Sequence, residues 1–237
     1  MSTSPDRVAI VTGGSRGIGR AVVEALLAEG WRVWLCSRSP ESVATALEEL
    51  EADHGGRVYG RAVDMRDAAA FRELVDRVLT DAGRVDLLVN NAGLGIFGPV
   101  DELSVEDWDT VVRTNLDGCF YAIRAVAPAM KARGDGWILN IASLASRNPF
   151  AGGAAYNASK FGLLGLSDAA MLDLRPHGVR VAAILPGSVD TDFSTSSGDA
   201  SWKLTAEDVA RAVMDLLRYP PRALPSRIEL RPSQPPK

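Results

Sequence analysis

The sequence predicts an α/β protein built on a single doubly wound parallel sheet of about seven strands, with helices on both faces. Two observations carry this. Short runs rich in Val, Ile and Leu alternate with longer amphipathic stretches along nearly the whole chain, which is the rhythm of strand-helix-strand units. Most of the runs are apolar almost without interruption, as expected of strands buried on both faces.

The predicted strands, in order, are Arg7–Val11, Arg32–Cys36, Arg57–Val63, Asp86–Val89, Trp137–Ile141, Val179–Ile184 and Arg227–Leu230. Helical patterns fill the gaps. Ile18, Val22 and Leu26 recur every fourth residue, Pro40–Leu50 follows an entry proline, and Ala68–Leu79 puts Phe71, Leu74, Val75 and Val78 on one stripe. A single long helix is expected from about Ser104 to Lys131, opening on a capping-box-like Ser104-Val-Glu-Asp107. Another runs from about Ala155 to Leu174 and stops where Pro176 and Gly178 would stop it. Low complexity is confined to Ser194–Ser201 and the proline-rich tail Pro232–Lys237. With 237 residues against roughly 150 per domain, the expectation is one large domain over residues 1–237, with residues 188–204 as a mobile lid over the substrate.

Composition excludes several classes of function. Hydrophobic residues at 46% and charged residues at 24% are those of an ordinary globular chain rather than a disordered one. A net charge of −4 offers no broad basic surface for nucleic acid. No apolar run reaches the ~18 residues of a membrane helix, and no apolar stretch of signal-peptide length precedes the first glycines. The expectation is a cytoplasmic protein with no membrane partner. Cys36 and Cys119 stand far apart among apolar neighbours and read as small buried residues, with no metal site. With only two histidines, His54 and His177, the chemistry is expected to use other side chains.

The first strand runs directly into Thr12-Gly13-Gly14-Ser15-Arg16-Gly17-Ile18-Gly19 and then into a helix. Glycines there allow a tight turn, close approach of backbone N–H groups to a pyrophosphate and close packing of the helix, whose N-terminus favours negative charge. Polar or glycine-bearing segments follow the ends of five further strands: Ser37-Arg38, Asp64, Asn90-Asn91-Ala92-Gly93, Ser143 and Pro186-Gly187. Folding would gather all six along the carboxyl rim of the sheet, where open α/β sheets bind ligands. Tyr156 and Lys160 lie four apart on a helix and share a face. A phenol titrates near ~10, so its use as an acid near neutrality calls for a cation beside it. Ser143 lacks the G-x-S-x-G context of a hydrolase nucleophile.

The T-G-x-x-x-G-x-G spacing, followed in order by Asn90–Gly93, Asn115, Ser143, Tyr156-x-x-x-Lys160, Pro186-Gly187 and Thr191, resembles the short-chain dehydrogenase/reductase family over residues 7–191. The resemblance implies a Rossmann-type sheet in the order 3-2-1-4-5-6-7. It also implies hydride transfer between a nicotinamide cofactor and a carbonyl or secondary alcohol. Tyr156 would protonate the carbonyl oxygen, Lys160 would favour the ionised phenol and hold the nicotinamide ribose, Ser143 would orient the carbonyl, and Asn115 would support a water linking Lys160 to solvent. Gly13, Ser15, Arg16, Gly17, Ile18, Gly19, Asn91, Ala92 and Gly93 would meet the cofactor, Asp64 its adenine, and Pro186, Gly187, Val189 and Thr191 its nicotinamide.

The second strand ends Cys36-Ser37-Arg38-Ser39 with no acid before Glu41. An NAD site wants a carboxylate there, whereas Arg38, with Arg16, suits a 2′-phosphate, so the expected cofactor is NADP(H) rather than NAD(H). Leu94, Ile96, Phe97, Leu144, Phe150, Phe193 and Trp202 are the expected substrate walls, which points to an apolar ketone, with a 3-oxoacyl thioester as the other small-molecule class. Lys131, Arg133 and Arg175 are the cations expected near the pocket if an acidic carrier docks there, although helix C-termini attract cations anyway. The resemblance further implies a homodimer or homotetramer. A catalytically silent NADP-binding regulator is the alternative, opposed by the intact Ser143, Asn115, Tyr156 and Lys160 set.

Overall fold

The computed structural model describes residues 6–191, 193 and 199–235. Seven parallel strands form one sheet in the order β3-β2-β1-β4-β5-β6-β7, where β1 is Val8–Thr12, β2 Arg32–Ser37, β3 Val58–Ala62, β4 Leu87–Asn90, β5 Gly136–Ile141, β6 Val179–Pro186 and β7 Arg227–Leu230. Among the described residues, seven α-helices flank it: α1 Gly17–Ala28, α2 Pro40–His54, α3 Ala68–Ala82, α4 Val105–Val112, α5 Gly118–Arg133, α6 Ala154–Leu174 and α7 Ala206–Leu217. The predicted strands match within two residues, and the order is the expected one.

The period-two alternation of strand side chains divides the core into two layers. Ala9, Val11, Val33, Leu35, Leu139 and Ile184 face one way, against α1, α2 and α7. Val8, Ile10, Trp34, Ile138 and Val181 face the other way, against α3, α5 and α6. Helix starts follow local chemistry. Ser39 caps α2 with Pro40 in the first turn, the Asp67 carboxylate accepts from Ala69 and Ala70 N–H at 2.9 and 3.0 Å, and Ser104 accepts from Asp107 N–H at 3.0 Å.

Two expectations need correction, and one element was not expected. The long helix expected from Ser104 to Lys131 is interrupted by a π-helical turn at Arg113–Asp117 that contains Asn115. Helix α7 went unpredicted, although its Thr205/Asp208 capping box and its Val209, Val213, Leu216 stripe are both in the sequence. Finally, Lys131, Arg133 and Arg175 lie at the amino end of the strands, away from the carboxyl rim. Helices here run antiparallel to the strands, so their last turns end where the next strand begins. Arg133 pairs at 3.1 Å with Asp86, just before β4, and Arg175 lies four residues before β6.

That amino rim is tied by Asp86, whose carboxylate accepts from Val8 N–H at 2.8 Å and from Arg84 at 2.8 and 2.5 Å. Among the described residues, no helix is long and apolar enough to cross a membrane.

Candidate active site

Parallel strands that end together leave their following loops side by side, and here those loops enclose a cleft of about 940 Å³. The cleft lies across the point where the chain passes from β1 to β2 on one side and β4 on the other, the position at which ligands enter doubly wound sheets. At one end it is lined by Gly13, Ser15, Arg16, Gly17 and Ile18 from the β1 loop, Ser37 and Arg38 after β2, and Asp64 after β3. Asn91, Ala92 and Gly93 follow from β4, Ser143 from β5, Tyr156 and Lys160 from α6, and Pro186, Gly187, Val189 and Thr191 after β6.

Two predicted residues lie behind this surface rather than on it. Gly19 packs beneath the loop, where a Cβ would run into the Gly13 carbonyl and the Asn91 amide. Asn91 Nδ2 in turn donates to the Thr12 and Gly13 carbonyls at 3.0 and 3.1 Å, fixing the glycine loop against the end of β4. Gly13 and Gly17 have φ of +64° and +54°, conformations that a residue with Cβ rarely adopts. Asn115 is fully buried. Its Oδ1 accepts from Leu94 N–H at 2.9 Å, and its Nδ2 donates to the Leu94 carbonyl at 2.8 Å and to Ser159 Oγ at 3.1 Å. Ser159 Oγ–H donates at 2.8 Å to the Tyr156 carbonyl. Both amide hydrogens of Asn115 are therefore spent on tying the β4 loop to the helix that carries Tyr156.

Lys160 is 5% exposed. Its Nζ donates to the Ile141 carbonyl at 3.0 Å and stands 5.7 Å from the centre of the Tyr156 ring. A buried ammonium needs partners. The carbonyl uses one of its three hydrogens and leaves two toward the cleft. Ser143 Oγ accepts from Ala145 N–H at 3.1 Å, which orients the hydroxyl and leaves its hydrogen to donate. Asp64 accepts from Arg66 Nε at 3.0 Å and from Arg66 Nη2 at 2.6 Å, and this pairing holds its carboxyl below the usual carboxylate range. It also accepts from Arg66 N–H at 2.9 Å, which caps the turn after β3.

Among the described residues, α1 begins without a side-chain cap, unlike α2, α3 and α4. Its first N–H groups, which have no partner within the helix, face the cleft where Arg16, Gly17 and Ile18 line it. At the end of β2, Arg38 lines the cleft while Glu41 turns away to accept from Ser39 Oγ at 2.7 Å. These donors and cations fit a phosphorylated dinucleotide.

Of the expected substrate walls, Leu94, Phe97, Leu144, Phe150, Phe193 and Trp202 line the cleft, and Ile96 does not. The base of the 188–204 segment is fastened by a Val189–Leu204 bridge, with Asp190 N–H to the Leu204 carbonyl at 2.8 Å and Leu204 N–H to the Ser188 carbonyl at 3.0 Å. Residues 192 and 194–198 of that expected lid lie outside the described residues. The tail treated as a low-complexity end also reaches the cleft, through Arg231, Pro232 and Pro235. Gly187 N–H donates to the Leu230 carbonyl at 2.8 Å and so brings the tail over Pro186-Gly187.

A profile of the family described as short chain dehydrogenase matches residues 7–202. The chain is 34% identical to the NADP-dependent 3-hydroxy acid dehydrogenase YdfG of Escherichia coli (strain K12), over 95% of this chain and 94% of that one. It resembles the crystal structure of a metagenomic short-chain oxidoreductase in complex with NADP, at 38% identity and TM-score 0.86, covering 98% of this chain and 100% of that one. An actinorhodin polyketide ketoreductase variant solved with NADPH is similar at 33% identity and TM-score 0.88, covering 98% of each chain.

Proposed function

Since this chain belongs to the short-chain dehydrogenase family and is an oxidoreductase, we propose that it is an NADPH-dependent reductase of a ketone or aldehyde, working in reverse as a secondary-alcohol dehydrogenase. The observation that carries the reading is that Ser143, Tyr156 and Lys160 line the same cleft as an uncapped helix start and two arginines. NADPH, when bound, supplies the hydride that reduces the carbonyl carbon.

The chain's own residues supply the rest. The Tyr156 phenol gives its proton to the carbonyl oxygen as negative charge grows there, and takes one back from the alcohol in the oxidative direction. Lys160 is a positive charge beside that ring, which stabilises the phenolate left behind, and its two remaining hydrogens suit ribose hydroxyls. Ser143 donates to the same carbonyl oxygen and fixes its direction. Asn115 positions the catalytic helix through Ser159 and the β4 loop through Leu94. Arg16 and Arg38 hold the 2′-phosphate, and the first N–H groups of α1 hold the pyrophosphate. The NADP-dependent 3-hydroxy acid dehydrogenase and the ketoreductase solved with NADPH support a cofactor of this kind. Segment 188–204 covers the substrate, and Phe120, Phe161 and Leu172, exposed on α5 and α6, favour a homodimer or homotetramer.

The test is Tyr156→Phe. Turnover of a reducible ketone should fall ~10²–10⁴-fold while NADPH binding, followed by its fluorescence, stays nearly unchanged. Retained turnover would remove the phenol from the acid role.

A further inference from the structure

Three phenylalanines surround the phenol. The rings of Phe97, Phe150 and Phe193 lie 5.7, 6.3 and 5.7 Å from that of Tyr156, tilted at 66°, 46° and 52°, and Phe97 and Phe150 lie 5.8 Å apart at 53°. None of these pairs is stacked. The three remain 51%, 46% and 46% exposed while lining the cleft, so a large apolar surface gathers around the Tyr156 ring and stays uncovered.

The arrangement is built into two loops. Phe97 comes from the loop after β4 and Phe150 from the loop after β5, and these loops are joined by a Gly98–Gly153 bridge and a Gly98 N–H to Gly152 carbonyl bond of 2.8 Å. Asn157 Nδ2 holds the Phe150 carbonyl at 3.0 Å. Each of these two rings rests on a glycine of its own loop. A Cβ on Gly95 would run into the Phe97 ring, and one on Gly153 would come within 2.6 Å of the Phe150 ring. The rings are thus backed by their own loops, which leaves their other surface to the cleft.

Resting on the reductase reading above, we propose that Phe97, Phe150 and Phe193 select a carbonyl compound with an aromatic ring attached directly to the carbonyl carbon. The carbonyl oxygen must reach the Tyr156 phenol, so the substituent next to it falls among rings that flank the same phenol. Tilted walls offer edges and faces together, and aromatic rings gain from such contacts beyond the area they bury, at centroid spacings of roughly 4.5–7 Å. A saturated ring of the same size would bury a similar area without that gain. The aromatic group therefore sets the preference, rather than apolarity alone.

The test compares phenyl methyl ketone with cyclohexyl methyl ketone, a pair alike in size and apolarity, using the full-length protein and NADPH. The expected kcat/KM favours the phenyl compound by about tenfold or more, as two or three aromatic contacts would give. Phe97→Leu and Phe150→Leu, which keep the walls apolar, should each cut that preference several-fold, as should Gly95→Ala by displacing the Phe97 ring. Equal or better turnover of the cyclohexyl ketone, or an unchanged ratio in the leucine variants, overturns the proposal. In either case reduction of both ketones would leave the reductase reading standing. No NADPH oxidation with these ketones, an aldehyde or a 3-oxoacyl thioester would overturn both readings together.

Discussion

On the function proposed above, Arg38 is the residue after β2 that would separate two closely related cofactors, with Arg16 beside it. It lines the cleft just past β2, and a phosphate on the neighbouring ribose would meet a fixed planar donor set there. Replacing it with Gln keeps some hydrogen bonding and removes the charge. Arg38→Gln is expected to weaken NADPH at least ~10-fold, the scale of one charge-assisted contact, and to leave NADH nearly unaffected. Titrating both nucleotides by fluorescence checks this, and equal losses would refute the assignment. The cysteines make the opposite case, of residues near chemistry that take no part in it. Burial pushes the Cys36 thiol up to about 12 and that of Cys119 up to about 11, and neither side chain reaches solvent. Since the thiolate is the reactive form, the native protein at pH 8 should not react with a thiol dye, whereas the denaturant-unfolded chain should release two equivalents. Rapid labelling of the native protein would contradict the packing around β2 or α5.

At the scale of single elements, the π turn at Arg113–Asp117 has the most to lose. Asn115→Ala would leave the buried Ser159 Oγ and the partly buried Leu94 N–H and carbonyl without their partner, at about 2–3 kcal/mol. For a chain of this size that lowers Tm by roughly 4–12 °C, measurable by thermal circular dichroism, and a shift near zero would mean that water replaces the amide. The strands were readable because a buried parallel strand is marked by its composition, as in Val8–Thr12 and Leu87–Asn90. That the glycine loop and Ser143 line one cleft was legible because they directly follow strands, and that Tyr156 and Lys160 share a face of α6 was legible from their spacing of four. The π turn was hidden, since one extra residue in a turn changes no residue type in the Ser104–Lys131 pattern. Arg133 and Arg175 were misread through geometry. Their sequence position beside strands was clear, but which rim they reach depends on helix direction. Arg231 and Pro232 could not be assigned to the cleft from their own residues, because they arrive there only when β7 pairs alongside β6.

Across the whole molecule the two rims of the sheet differ in kind. The carboxyl rim carries the cleft. The amino rim carries Asp86 with Arg84 and Arg133, a buried carboxylate between two guanidinium groups. Removing one partner of such a cluster leaves charges uncompensated, at about 3–5 kcal/mol. Asp86→Ala should therefore lower Tm by roughly 6–20 °C, while kcat/KM measured well below the new melting point stays that of the parent. A large loss of activity with little change in Tm would show that the rims communicate.

The bridge between Gly98 and Gly153 has a consequence for descent. It fastens two loops that line the cleft to each other, while neither Phe97 nor Phe150 takes a place within the sheet. Residues 97 and 150 can therefore be exchanged over generations with the scaffold left intact, but an insertion in one loop would misalign the other. Substitutions should accumulate at these positions more readily than changes in loop length, and a lineage altering its substrate would change side chains before it changed the path of the chain.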